Sequence, residues 1–153
     1  MAPQNVALMT KNLGESAQRW GPAPIPRALR VVIADDDRDS VVTLMMLFRH
    51  EGDEVRGVYA GRNVLAAVID FDPDVVILDI NLPGLSGWEI ARSLREKRGQ
   101  VRPLLIGVSG EYVQGSDKIL AQILGFNHYL IKPYEFSDLQ ILLKPLRFPE
   151  AME

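Results

Sequence analysis

Short apolar runs alternate with amphipathic stretches along most of the chain. The first run, Arg30-Val31-Val32-Ile33-Ala34, is β-branched and unbroken by polar residues, which predicts a strand buried on both faces. The polar cluster from Asp35 to Ser40 can cap a helix, and Val41, Leu44, Met45 and Phe48 then recur at helical spacing until Gly52. Residues 54–59 predict a weaker second strand. A second helix presents Leu65, Val68 and Ile69 on one face and stops at Asp72-Pro73. Val75-Val76-Ile77-Leu78 is the strongest strand signal and closes on Asp79. The turn-rich loop Asn81-Leu82-Pro83-Gly84-Leu85-Ser86-Gly87 leads into a third helix over residues 88–97. Leu104-Leu105-Ile106-Gly107-Val108 predicts strand four, and helix four falls within residues 116–124, ending at Gly125. His128-Tyr129-Leu130-Ile131 predicts strand five. Helix five starts after Pro133, carries Phe136, Leu139 and Leu143 on one face, and is expected to end near Pro145.

Strand and helix thus alternate five times, and the strands do not alternate apolar with polar. That pattern predicts a five-stranded parallel sheet with helices on both faces, a doubly wound α/β domain. Its ligand site lies outside the carboxyl ends of the strands. Residues 1–29 read differently, as an arm. Val6, Leu8, Met9 and Leu13 are compatible with a short amphipathic helix, and Gly21-Pro22-Ala23-Pro24-Ile25-Pro26 reads as an extended linker. The expected division is an arm over 1–29, a domain over 30–146 and a tail over 147–153.

Composition narrows the chemistry. The chain has 153 residues, enough for one domain plus extensions. With no cysteine, thiolate metal sites, disulfides and cysteine nucleophiles are excluded. A formal charge of -3 disfavours a nucleic-acid coat. No apolar run approaches the ~18 residues of a membrane span, and the N-terminus lacks the pattern of a secretory signal. A cytoplasmic protein with no direct nucleic-acid or membrane partner is expected.

The chemistry concentrates at the strand ends. Strand one ends in Asp35-Asp36, strand three in Asp79, strand four in Ser109 and strand five in Lys132-Pro133. In a doubly wound sheet these ends share one edge. Helix capping accounts for any one of them, but not for all four, because a charge directly after a buried apolar run is costly. Two carboxylates about 4 Å apart repel by about 4 kcal/mol at an effective dielectric near 20. Three together either take up protons or bind a cation. All-oxygen ligands favour Mg²⁺ or Mn²⁺, and a neighbouring hydroxyl and lysine suit phosphoryl oxygens. No phosphate-binding glycine loop is present, so a nucleotide site is not indicated. Asp37 and Asp39 read as helix-capping charges, His50 as a charge suited to a helix C-terminus, and Trp88 and Trp20 as packing residues.

With these residues in view, the chain over about 30–146 resembles the receiver domain of two-component response regulators, in its single-domain, CheY-like form. The resemblance rests on Asp35-Asp36, Asp79, the Asn81-Leu82-Pro83-Gly84 loop with Gly87, Ser109 and Lys132-Pro133, in that order. It implies a flavodoxin-like sheet of order 2-1-3-4-5. It also implies that Asp79 is the phosphoacceptor, served by a sensor histidine kinase or a His-phosphotransfer protein. Asp36, Asp79 and the backbone carbonyl of Asn81 would ligate Mg²⁺, with Asp35 acting through a water. Ser109 would bond a phosphoryl oxygen, Lys132 would pair with Asp79 and then with the phosphoryl group, and Pro133 would follow a cis peptide. Tyr129 stands at the position of the family's rotating aromatic switch. Asn81 and Glu111 stand where dephosphorylation is tuned.

Some features depart from the commonest pattern. Gly110 follows Ser109 where alanine is more frequent, and residues 111–115 are poor helix formers. No effector module is recognisable after helix five. Output is therefore expected through protein contacts at the face of helix four, strand five and helix five, including a possible homodimer. Leu146 and Phe148 are expected to complete that face. A different class of function also fits the acidic edge: an Mg²⁺-dependent phosphohydrolase of the haloacid dehalogenase-like kind, in which Asp35 and Asp37 would form the Asp-x-Asp pair.

Overall fold

The computed structural model describes residues 21–98, 102–110 and 115–149. The N-terminal stretch proposed as an amphipathic helix lies outside these residues, as does Glu111. Five strands form one parallel sheet: β1 (Arg30–Ala34), β2 (Glu54–Val58), β3 (Val75–Asp79), β4 (Leu104–Ser109) and β5 (His128–Ile131). Their order is β2-β1-β3-β4-β5. The helices are α1 (Arg38–His50), α2 (Val64–Phe71), α3 (Gly87–Arg98), α4 (Gly115–Ile123) and α5 (Phe136–Arg147). This is the doubly wound α/β architecture that the strand pattern indicates.

β3 is central and every one of its residues is buried. That is why its sequence is an unbroken apolar run: both faces are covered. On one face Val32, Val76, Leu78 and Leu105 pack against Val64 and Val68 of α2 and Ile90 and Leu94 of α3. On the other, Val31, Ile33, Ile77 and Ile106 pack against Val41 and Phe48 of α1 and Leu139 and Leu143 of α5. α1 begins at a side-chain cap, with the Asp37 carboxylate accepting from the Asp39 and Ser40 amides. The chain leaves it at Gly52 with φ +92°, a conformation that favours glycine.

Two expectations need correction. The buried stripe of α2 is Val64, Val68 and Phe71, while Ile69 is 58% exposed. Six consecutive apolar residues, 64–69, allow more than one helical stripe, and the sheet takes the one that ends in Phe71. The guanidinium groups of Arg30 and Arg56 cover the Phe71 ring, 4.2 and 4.5 Å from its centroid. In addition, α5 does not stop at Pro145. It carries the proline on an exposed face and runs on to Arg147. A proline removes one amide and crowds one carbonyl. Here the last turn is held by packing of Leu143 and Leu146 and by the buried side chain of Arg147.

Candidate phosphoryl-transfer site

The strand register brings the strand-end residues to one edge. Ala34 is paired with Leu78, Asp79 with Val108 and Ser109 with Ile131. Asp35 and Asp36 therefore follow β1 beside the end of β3, where Asp79 is the last residue. Ser109 closes β4, and Lys132 follows β5 directly. The Lys132 amide donates to the Ser109 carbonyl at 2.8 Å, which ties the ends of β4 and β5 together. The Lys132–Pro133 peptide is cis.

Asp35, Asp36 and Asp79 each offer a carboxylate oxygen within 4.8 Å of the others. Asp35 and Asp79 are buried and Asp36 is exposed, so the cluster is closed below and open to solvent on one side. Both buried carboxylates are oriented. Asp35 accepts from the Asp37 amide at 3.0 Å, and Asp79 accepts from the Asn81 amide at 2.9 Å. The Lys132 ammonium spans the pair, 2.8 Å from Asp35 Oδ2 and 3.0 Å from Asp79 Oδ2. The sequence assigned Lys132 to Asp79 alone. Its contact with Asp35 joins residues 97 positions apart, and no local pattern signals it.

The electrostatics follow from this packing. Burial pushes the Asp79 carboxyl above its ordinary value, and the charge of Asp35 adds to the rise. The Asn81 amide and the Lys132 ammonium oppose it. Burial pulls the Lys132 ammonium down, but its bonds to Asp35 and Asp79 outweigh that and hold it firmly protonated. The donor set is all oxygen, anionic, partly desolvated and open on one side. It fits a hard divalent cation that keeps some of its waters.

Ser109 is 2% exposed, at the floor of the edge. Gly110 has open space where a side chain would stand. Asn81 is exposed beside Asp79. Tyr129 is half-buried, with its ring stacked on Trp88. Asp37 spends its carboxylate on the α1 cap and on the Ser40 hydroxyl. A groove of about 540 Å³ opens beside Asp35 and Lys132, between Leu44 and Leu47 of α1 and the Pro133-Tyr134 turn. The sequence reading missed Tyr134, whose phenol is pushed up by burial near the site. Only the three-dimensional approach of α1 to the loop after β5 shows that it lines this groove.

A family model for the response regulator receiver domain matches residues 31–144, and the chain belongs to that family. The receiver domain is the phosphorylation-controlled module of two-component signalling. Solved structures of similar fold include a CheY-like receiver domain protein from Methanospirillum hungatei, with 24% identity and a TM-score of 0.70, covering 78% of this chain and 94% of that one. Another is the chemotaxis protein CheY4 of Vibrio cholerae, with 23% identity and a TM-score of 0.70, covering 77% of this chain and 98% of that one. A third is the response regulator TrrA of Thermotoga maritima, solved in complex with Mg(2+)-BeF, with 27% identity and a TM-score of 0.67, covering 76% of this chain and 97% of that one. Among the described residues, no helix is long and apolar enough to cross a membrane.

Proposed function

We propose that Asp79 accepts a phosphoryl group from a phosphohistidine, carried by a sensor histidine kinase or a His-phosphotransfer protein, and that the chain signals through protein contacts. One observation supports this above the rest. Three carboxylates meet within 4.8 Å, and an ammonium bridges the two that are buried.

In this reading, an oxygen of the Asp79 carboxylate forms a bond to phosphorus as the nitrogen–phosphorus bond of the donor breaks. The leaving imidazole keeps the electron pair and later takes a proton from solvent. The chain's task is positioning and charge balance for an in-line transfer. The Asn81 amide and Lys132 hold the plane of the nucleophilic carboxylate. Asp36, Asp79 and the Asn81 carbonyl would hold Mg²⁺ (or Mn²⁺ in its place), with Asp35 acting through water, and the ion would offset the charge of the incoming phosphoryl group. After transfer, Lys132 donates to one phosphoryl oxygen and the Ser109 hydroxyl to another. Tyr129 responds to that change, and Asn81 and Glu111 orient the water that ends the signal. The groove between α1 and Tyr134 leads onto Asp35 and Lys132, and suits a segment of the donor protein. The protein works in the cytoplasm alongside that donor and turns over no external substrate.

The phosphohydrolase alternative draws no support from the geometry. It needs Asp37 beside Asp35 as a second working carboxylate, and Asp37 is engaged in the α1 cap. The test is incubation with acetyl phosphate and Mg²⁺. One phosphoryl group, labile to hydroxylamine, is expected, and Asp79→Asn abolishes it. Labelling that survives Asp79→Asn but is lost in Asp35→Asn overturns the assignment.

A further inference from the structure

Trp88 links the loop after Asp79 to the ring of Tyr129. Gly87, the first residue of α3, donates its amide to the Ile80 carbonyl at 2.9 Å. It packs so closely that a Cβ there would stand 2.5 Å from the Ile80 Cα. The next residue, Trp88, is thereby fixed to the neighbour of the phosphoacceptor. Its ring stacks on Tyr129, with centroids 6.5 Å apart and planes 20° from parallel. It also meets Phe126 edge-on, at 5.6 Å and 86°.

Phe126 fills the space left by a missing side chain. A Cβ at Gly107 would lie 2.9 Å from two carbons of the Phe126 ring. Gly107 is the register partner of Tyr129 across β4 and β5. Ser109, two residues further along β4, points to the same face of the sheet. The strand beside Tyr129 is therefore smooth at Gly107, but the slot is already occupied by a ring that leans on Trp88. Tyr129 cannot change place on this face without Trp88 and Phe126 adjusting.

We propose that Trp88 is a positioning residue of the switch, carrying movement of the Asp79–Gly87 loop to Tyr129 by ring stacking, beside the route through Ser109. The proposal rests on the reading of Asp79 as phosphoacceptor. Trp20→Phe leaves Trp88 as the sole tryptophan, since the chain has two. The full-length variant is titrated with beryllofluoride and Mg²⁺, the beryllium trifluoride group taking the place of a phosphoryl group. Bound fluorine is followed by ¹⁹F NMR and Trp88 by its emission. A bound fluorine signal together with a change in Trp88 emission is expected. The ring signals of Tyr129 are followed in parallel by NMR of tyrosine-labelled protein. Their shift on fluorine binding should shrink in Trp88→Leu and be kept in Trp88→Phe, which retains a ring. Bound fluorine with unchanged Trp88 emission in the parent overturns the proposal, as does an undiminished Tyr129 shift in the leucine variant or a lost one in the phenylalanine variant. Absence of bound fluorine in the parent instead overturns the phosphoacceptor reading, and this proposal with it.

Discussion

Arg147, the last residue of α5, forms a two-point ion pair with Asp53, which precedes β2. Arg147 Nη1 donates to Oδ1 at 2.9 Å and Nη2 to Oδ2. The Asp53 side chain is fully buried, and it also accepts from the Leu29 amide at 2.8 Å. The Arg147 carbonyl in turn accepts from the Arg27 amide at 2.9 Å. The entries to β1 and β2 and the end of α5 are thus fastened to one carboxylate, at the edge opposite the acidic site. Leu29 and Arg147, which the sequence assigned to the arm and the tail, pack as part of the same body.

Removing one member of a buried pair strands the other charge, at a cost of about 3–5 kcal/mol. Arg147→Ala is expected to lower stability by about that much, read as a fall in the urea midpoint. The comparison is Arg92→Ala, which breaks an exposed pair with Glu96 one turn away. That pair is worth less than about 1 kcal/mol. Equal losses in the two variants would show that the buried pair contributes nothing special.

What the sequence revealed and what it concealed divide along physical lines. Strand runs such as Val75-Val76-Ile77-Leu78 are legible because burial on both faces leaves no polar residue in them. The acidic edge is legible because Asp35 and Asp79 directly follow such runs, with Asp36 next to Asp35. The α2 stripe was misread because Ile69 and Phe71 compete for burial, and only the sheet decides between them. The pairs Arg147–Asp53 and Lys132–Asp35 join residues 94 and 97 positions apart, with no local pattern to reveal them. The stack of Trp88 on Tyr129 was likewise invisible, since the sequence offered both only as separate packing or switch residues.

Asp36 is the exposed member of the acidic cluster. Exposure leaves its charge free to meet an ion that retains waters. Asp36→Ala should weaken Mg²⁺ binding by about 10-fold or more, the loss of a direct anionic ligand being worth upwards of about 1.4 kcal/mol. Calorimetric titration with Mg²⁺ measures this. Chelation with EDTA should abolish labelling by acetyl phosphate in the parent chain, and full labelling in EDTA would contradict the site.

The lifetime of the phosphoryl state follows from the space around Asp79. Asn81 is polar and exposed, and Gly110 leaves open space beside Ser109. This leaves water a path on the open side of the site, and a short-lived acyl phosphate is expected. Asn81→Met and Glu111→Leu should each lengthen it, measured as decay of the labelled protein after removal of the donor. An unchanged half-life in both variants would mean that water enters by another route.

Exposed apolar side chains on α4, β5 and α5 mark where the signal is expected to leave. Ile119 and Ile123 stand one turn apart on α4, Ile131 ends β5 and Ile141 lies on α5, and all four are exposed. Phosphorylation can be transmitted through these elements only if a partner or a second copy binds the two states with different affinity, and about 1–3 kcal/mol of coupling is ordinary. Leu146 and Phe148 do not extend the face as the sequence suggested. Leu146 is partly buried against the core cluster that α1 and α5 cover, and Phe148 lines a groove of about 610 Å³ with Pro22, Pro24 and Ile25. That groove makes the arm the competing output surface. Cutting the chain before Arg147 would break its ion pair with Asp53, and cutting after Arg27 would break that of Arg27 with Asp74, and either would confuse loss of output with loss of stability. Informative truncations therefore remove only residues 1–26 or only residues 148–153. Phosphorylation-dependent self-association, followed by sedimentation, should survive both cuts and fall by about 5-fold or more in Ile123→Glu and Ile141→Glu. If it survives both glutamate variants and disappears with residues 1–26, the signal leaves through the arm.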